Sequence, residues 1–410
     1  MNHYLLRKKL FALLFLLIIP AFSLWNFLNS REILAEDVRV KVLQVSQGDL
    51  TAQQAVSRLE SKITENVWGR MNFIEGYSYI QSLLGKEEYN NFAYIRDQDG
   101  FLHYATFFRE PDREVAAYTA RLRRLQDAAA NYGGKVLFTV VPSKYIPNVT
   151  RLSSGLQIND PNPLVDETLF YVNRYGIPTL DMRSSIPNDT LSYEQTFFRT
   201  DHHWTIPAAF VGFQQLVDAL NREFDAGLDP DGFYRNPENY TAVTYARGML
   251  GSMGRKTGAN YANPEDFTAL WSNFSGRFRR ECLEENGKTT TREGDILQTL
   301  MIPETLTDER KSIYSDSWYS LYLNGLRYYE HIENLENPQG AKVLFIRDSY
   351  FSPVITFFAP LCGEIDAVWS LEAVDSLDIE TMVLENQYDY IIMEVYPYNI
   401  SADAFQFFRE

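Results

Sequence analysis

Three largely apolar runs that read as buried strands constrain this chain more than any other feature. They are Lys135 to Val141 (K-V-L-F-T-V-V), Lys342 to Ile346 (K-V-L-F-I) and Tyr388 to Val395 (Y-D-Y-I-I-M-E-V). A strand without polar alternation is covered on both faces, the condition of a parallel sheet. Helix signals separate the runs. Pro111-Asp112 opens a helix that reaches Asn131 and stops at Gly133-Gly134. A second covers about Pro163 to Tyr175 and is closed by Gly176. A strand over Ile177 to Leu180 follows, ending at Asp181. Thr205-Ile206-Pro207 starts a third helix running to about Phe224, with proline where its missing N–H costs nothing. The run from Ile365 to Trp369 reads as a further strand. Helix–strand alternation of this kind predicts an α/β fold with a mostly parallel central sheet, whose ligands bind at the carboxyl ends of the strands.

The N-terminus predicts a membrane anchor. Arg7, Lys8 and Lys9 precede an apolar run from about Leu10 to Leu28. That length is close to the ~20 residues needed to cross a bilayer. Basic residues ahead of the span keep the N-terminus cytoplasmic and place everything after about residue 30 outside. The run is long for a signal peptide and lacks an A-x-A cleavage pattern, so an uncleaved signal anchor over residues 1–30 is expected. The formal net charge of −16 lacks the basic footprint of nucleic-acid binding. Cys282 and Cys362 both fall in the exported part; one disulfide and two free buried thiols are both open.

Residues 31–90 read as a helical stalk, with Val56, Leu59 and Ile63 at helical spacing. The stretch from Tyr94 to Phe108 reads as a hairpin around Asp97-Gln98-Asp99-Gly100, with His103 as a structural residue of its second strand. The α/β domain is expected to span residues 91–410, with an insertion around 225–340. Within the insertion, Thr289 to Glu309 looks like an excursion away from the sheet. Gly248 to Gly258 is glycine-rich and carries Arg255 and Lys256, but it lacks P-loop spacing. It reads as a flexible loop or as a rim that contacts an anionic or polar substrate.

The chemistry concentrates in two stretches. The chain has 5 histidines, and two are adjacent in Thr200-Asp201-His202-His203-Trp204-Thr205. Asp201 and His203, two apart on an extended loop, project the same way. The carboxylate can then hold one imidazole nitrogen and leave the other free as a base. His202, one residue along, is expected to point elsewhere. The second stretch, Ile346-Arg347-Asp348-Ser349-Tyr350, puts Ser349 at the carboxyl end of a buried strand. A helix beginning after it would favour a developing oxyanion there. Read alone, Asp-Ser after a strand is also an ordinary helix cap, and Asp201 with His202 and His203 could instead form a metal site of a phosphoesterase.

T-D-H-H-W-T with the later R-D-S-Y resembles the DHHW family of Gram-positive surface proteins. More distantly it is similar to the alginate O-acetyltransferase group of the SGNH hydrolase superfamily, where a D-x-H-W motif also precedes the serine motif. The resemblance implies a three-layer SGNH-hydrolase-like α/β fold with no cofactor. It casts Ser349 as nucleophile, His203 as general base and Asp201 as its orienter, with Trp204 packed beside them. It implies acyl transfer, most simply of acetyl, to cell-surface polysaccharide outside the membrane, or ester hydrolysis if water takes the acyl group. By the same analogy a multi-pass membrane acyltransferase supplies the acyl group. The composition, with 26 Tyr and 6 Trp, suits stacking on sugar rings or an aromatic core. Arg347 stands where the superfamily's G-D-S motif has glycine, and the Gly and Asn oxyanion donors have no clear match. Ser349's own N–H and Asn324 are the candidates for that role, and Arg255 for substrate contact. A non-catalytic surface module binding glycan or protein on the same fold is the alternative.

Overall fold

In a computed structural model of the full chain, the residues described are 2–47, 51–105, 114–188, 191–283, 287–307, 313–314, 318–369, 371 and 377–407. The chain divides into two compact units, Met1–Tyr77 and Ser78–Glu410.

The first unit is helical. One helix runs from Asn2 to Gln47 and passes through Pro20, and a second covers Ala52–Glu65 behind a Thr51 capping box. The first helix is the one among the described residues long and apolar enough to cross a membrane. Its apolar stretch from Leu10 to Leu28 would span roughly 28 Å at a helical rise, close to a bilayer's hydrocarbon thickness. Phe11 on it is 74% exposed, an unfavourable state in water. The helix therefore fits a single-pass anchor.

The second unit is built on an eight-stranded sheet. The strand order is Thr179–Asp181, Lys135–Val140, Tyr390–Val395, Ala341–Arg347, Cys362–Trp369, Tyr329–Asn334, Arg277–Leu283 and Thr289–Asp295. The first five pair in parallel and the last three antiparallel. Alternate residues of the central strands feed two apolar layers. Leu137, Val343, Phe345 and Ile392 join the helices Ile206–Phe224 and Phe351–Phe358 on one face. Val136, Phe138, Leu344, Ile346, Ile391 and Met393 join Val115–Ala130, Asn162–Arg174 and Ile379–Asn386 on the other. This is the expected three-layer α/β arrangement. The start of the helix predicted at Pro111-Asp112, and the hairpin beyond Ala105, lie outside the described residues.

One expectation is corrected, and the question left open for the two cysteines is answered. Thr289–Asp295 does not leave the sheet; it is the edge strand, paired with Arg277–Leu283 along its whole length. Its polar side chains are nearly all exposed, so no apolar alternation marked it as a strand. Cys282 and Cys362 are both buried, and they are not bonded to each other. Cys282 is level with Glu330, and Glu330 with Ala367, five residues along the strand from Cys362. That is roughly 16 Å of strand, well beyond disulfide reach.

The topology selects a site. The connection after Lys135–Val140 leads outward to Thr179–Asp181, while that after Ala341–Arg347 leads the other way, to Cys362–Trp369. Only Tyr390–Val395 lies between the two diverging connections. Such a switch leaves a crevice at the carboxyl ends, and Ser349 follows directly from one of these strands.

Candidate active site

The D-H-H-W loop is a short reversal of the chain. Phe197 and Trp204 face each other as an isolated antiparallel bridge, and the Phe198 N–H donates to the His203 carbonyl at 3.2 Å. Arg199 to His203 thus form the tip. Thr205 then caps the helix Ile206–Phe224, its Oγ1 accepting the Ala208 N–H at 3.4 Å. Trp204 is fully buried and anchors the loop through its indole N–H, which donates to the Tyr319 hydroxyl at 3.1 Å and the Tyr350 carbonyl at 3.2 Å. Gly212 makes room for it, since a Cβ there would lie 2.6 Å from the indole ring.

The tip meets Ser349. Asp201 Oδ1 lies 2.6 Å from His203 Nδ1, and His203 Nε2 lies 2.6 Å from Ser349 Oγ. Asp201 also accepts the His203 backbone N–H at 3.1 Å and, on its other oxygen, the Ser252 N–H at 2.6 Å. Burial by itself would raise the Asp201 carboxyl. The two neighbouring imidazoles and the Ser252 amide outweigh that and hold it well below the usual range. Asp201 is therefore a carboxylate, and the imidazole nitrogen facing Ser349 is the acceptor.

Sequence reasoning missed most of the support for this row. The glycine-rich segment is not a flexible loop; it is packed under the tip as a short helix over Ser252–Thr257. The Gly251 N–H donates to Thr200 Oγ1 at 2.8 Å and the Gly254 N–H to the Thr200 carbonyl at 2.8 Å. At Gly251 any Cβ would run into the backbone and Cβ of Asp201, so glycine is required there for close approach. Lys144, just past the end of Lys135–Val140, is fully enclosed. Its ammonium donates to the Arg199 carbonyl at 3.0 Å and the Asp201 carbonyl at 2.8 Å. Burial pulls this lysine down to about 7, although Glu265, Asp201 and Asp97 resist. Glu265 accepts the Arg199 and Thr200 N–H groups at 2.6 and 2.7 Å. As expected, His103 is structural, bonded to Asp97 at 2.9 Å inside the hairpin.

The serine side is held as firmly. Asp348 accepts the Tyr350 N–H at 2.9 Å, the Tyr396 N–H at 3.0 Å and the Asn399 amide at 3.0 Å. Its own N–H donates to Glu394 at 2.9 Å. Burial, and then the charge of Asp348, push Glu394 well above the carboxylate range. Arg347 turns away from Ser349. It is wholly buried and bonds Glu330 at 2.5 Å, with Arg280 on the other carboxylate oxygen. The Ser349 N–H has no hydrogen-bond partner among the described residues, and a helix begins at Phe351.

His202 departs from expectation. It does not point elsewhere: its ring lies 3.9 Å from that of His203, because the tight tip folds both imidazoles over Asp201. Its Nδ1 is 3.1 Å from Ser252 Oγ and 3.3 Å from Asp201 Oδ1. Asp201, His202 and His203 thus have the spacing of a metal trio. Yet both Asp201 oxygens already accept N–H groups, and His203 uses both its nitrogens on Asp201 and Ser349. This donor set suits proton transfer better than a cation. Tyr319 stacks on His203 at 4.1 Å, and Tyr350 on Tyr396 at 4.6 Å. Among the described residues no hydrogen bond joins Asn324 to Ser349 or His203. Arg255 lies on the short helix beside Asp201 and is partly buried.

Comparison with known proteins agrees with this architecture. Residues 95–266 match the family model described as SGNH hydrolase-like domain, acetyltransferase AlgX. That stretch includes Asp201 to Trp204 and ends before the serine strand. No curated protein matches the chain. Among solved structures, Bacillus cereus PatB1 with a sulfonyl adduct is similar at 16% identity, TM-score 0.59, over 77% of this chain and 97% of that one. A DHHW family protein from Eubacterium siraeum is similar at 16% identity, TM-score 0.54, over 77% of this chain and 96% of that one. Residues 95–266 are thus similar to an SGNH hydrolase-like domain of the AlgX type, and the chain shares its fold with the DHHW and PatB1 structures.

Proposed function

We propose that this protein is a membrane-anchored extracellular acyltransferase that moves an acetyl group onto cell-surface polysaccharide through Ser349, His203 and Asp201. The observation that carries the reading is the continuous hydrogen-bonded row from Asp201 through His203 to Ser349, with 2.6 Å at each step. Serine becomes a useful nucleophile only when such a base takes its proton.

In this reading Ser349 Oγ attacks the carbonyl carbon of the donor ester while His203 Nε2 takes the hydroxyl proton. Asp201 holds the Nδ1–H and stabilises the imidazolium that forms. The departing alcohol takes the proton from His203, leaving an acetyl ester on Ser349. An acceptor hydroxyl then gives its proton to His203 and attacks that ester, which frees Ser349. The Ser349 N–H, without a partner among the described residues, is one donor for the oxyanion, and the N-terminal end of Phe351–Phe358 adds a favourable dipole. Water in place of the acceptor makes the same site an esterase. A multi-pass membrane acyltransferase is the proposed acyl donor. The Arg347 departure does not argue for a non-catalytic binding module, since its guanidinium is taken up by Glu330.

The test uses the full-length protein in detergent. Acetate release from a simple acetyl ester, abolished in Ser349→Ala, is the expected result. Absence of both turnover and labelling by a serine-directed phosphonate, in folded protein, would leave the binding module as the better reading.

A further inference from the structure

The mechanism uses one of the two adjacent imidazoles. The other has an open valence beside the reaction. His202 is the more accessible of the pair, its side chain 24% exposed against 9% for His203. Its Nδ1 faces Ser252 Oγ at 3.1 Å and Asp201 Oδ1 at 3.3 Å. The negative carboxylate beside Nδ1 favours the hydrogen on that nitrogen, which it can give to Ser252 Oγ, and Nε2 then keeps a lone pair. That nitrogen has no hydrogen-bond partner among the described residues. Burial, and then the neighbouring His203, hold His202 down to about 3, so the ring is neutral at physiological pH. Around it stand Tyr104, Tyr350 and Tyr396, with ring centroids 5.9, 6.0 and 6.1 Å away. The result is a second hydrogen-bond acceptor set in an aromatic wall, one ring spacing from the base.

A reacting hydroxyl has one proton, and His203 takes it. His202 therefore cannot serve that hydroxyl. The hydroxyl on the adjacent carbon still carries its proton and needs an acceptor alongside the base. We infer that His202 recognises the acceptor substrate: its Nε2 accepts a hydrogen bond from the hydroxyl next to the reacting one, so the site selects a vicinal diol, as on a sugar ring. This rests on the reading of Ser349 and His203 given above. No bond is made or broken at His202; it is a binding residue.

The experiment compares acetyl transfer from 4-nitrophenyl acetate to a cyclohexane vicinal diol and to cyclohexanol, using the full-length protein in detergent. Nitrophenol release in the first turnover reports acetylation of Ser349 separately. The wild type is expected to favour the diol about fivefold per hydroxyl, the worth of one neutral hydrogen bond. His202→Phe keeps the ring but not the nitrogen, and should lose the preference, which is read from the partition of the acetylated enzyme between the two alcohols and so is independent of the variant's acetylation rate. His202→Gln, whose amide reaches the Nε2 position, should retain it; His202→Asn, which reaches only the Nδ1 position, should not. A wild type with no preference, or a preference surviving in His202→Phe, overturns the inference. So does equal preference in the Gln and Asn variants, which decide the matter should the Phe variant fail to acetylate. A wild type that never acetylates is a different result: it overturns the reaction assigned to Ser349, and the inference with it.

Discussion

Arg347 and Glu330 form a buried ion pair, 2.5 Å apart, between two strands that are not neighbours. Cys362–Trp369 runs between them, and Ala367, level with Glu330, is its small residue at that point. Arg280 holds the other carboxylate oxygen at 2.8 Å. A residue that looks like a defect in a catalytic motif is therefore part of the core. Arg347→Gly, which writes the superfamily's G-D-S into this chain, should not raise the proposed activity. It should cost about 3–5 kcal/mol by breaking a buried charge pair. Denaturant midpoints would measure this; unchanged stability with raised activity would contradict it.

Asp201→Asn should leave the fold intact and lower the acetylation rate by about 10⁴, since the amide no longer fixes the imidazole tautomer. Ser349→Ala should fall to background. A first-turnover burst with a chromogenic ester separates the two. An Asp201→Asn enzyme within tenfold of wild type would remove Asp201 from the reaction.

Gly251→Ala tests the packing under the tip. Its Cβ would meet the backbone of Asp201, so the loop must move. Overpacking of this kind costs about 1–3 kcal/mol. A displacement of about 1 Å in the base would lower turnover about 10²-fold. Wild-type rates in this variant would show that the segment can yield.

Lys144 lets the sign of a pH effect be tested. Its ordinary 10.5 falls to about 7 in the fold, so between those values the unfolded chain binds the extra proton. Stability contributed by this site therefore rises with pH across that window. Lys144→Met should flatten that rise and lower turnover by about 10-fold or more, because the Arg199 and Asp201 carbonyls lose their donor. Melting temperatures at several pH values, compared between the two proteins, check it. Turnover of the wild type should not drop as Lys144 deprotonates, since a neutral amine still has hydrogens for both carbonyls.

Glu394 has the opposite sign. Its carboxyl is raised, so the folded protein holds a proton that the unfolded chain has released. The contribution is complete below the ordinary carboxylate range and is lost as pH rises toward the raised value. Glu394→Gln, a permanently neutral stand-in, should melt closer to the wild type at pH 5 than at pH 9, where it should be the more stable of the two. A difference that does not change with pH would mean Glu394 is ionised in the fold.

How much could be read in advance follows from how local each signal is. The apolar strands, the helix breaks at Gly133-Gly134 and Gly176, the hairpin at Asp97–Gly100 and the apolar N-terminal run are local patterns, because burial on both faces, chain reversal and bilayer length each leave a mark in consecutive residues. The spacing of Asp201 and His203 is local for the same reason. Thr289–Asp295 left no such mark, since an exposed edge strand needs no apolar alternation. The partners of the site are separated along the chain. Lys144 reaches Asp201 across 57 positions, Ser252 across 51, and Ser349 reaches His203 across 146. Their meeting is decided by the strand order, which brings the carboxyl ends of Lys135–Val140, Tyr390–Val395 and Ala341–Arg347 to one crevice. The sequence alone determined the layers, the long apolar N-terminal helix and the residue types available for chemistry. Only the tertiary structure decided that His202 lies beside His203, that the glycine-rich segment buttresses Asp201, and that Arg347 belongs to Glu330, because each depends on contacts that no run of neighbouring residues encodes.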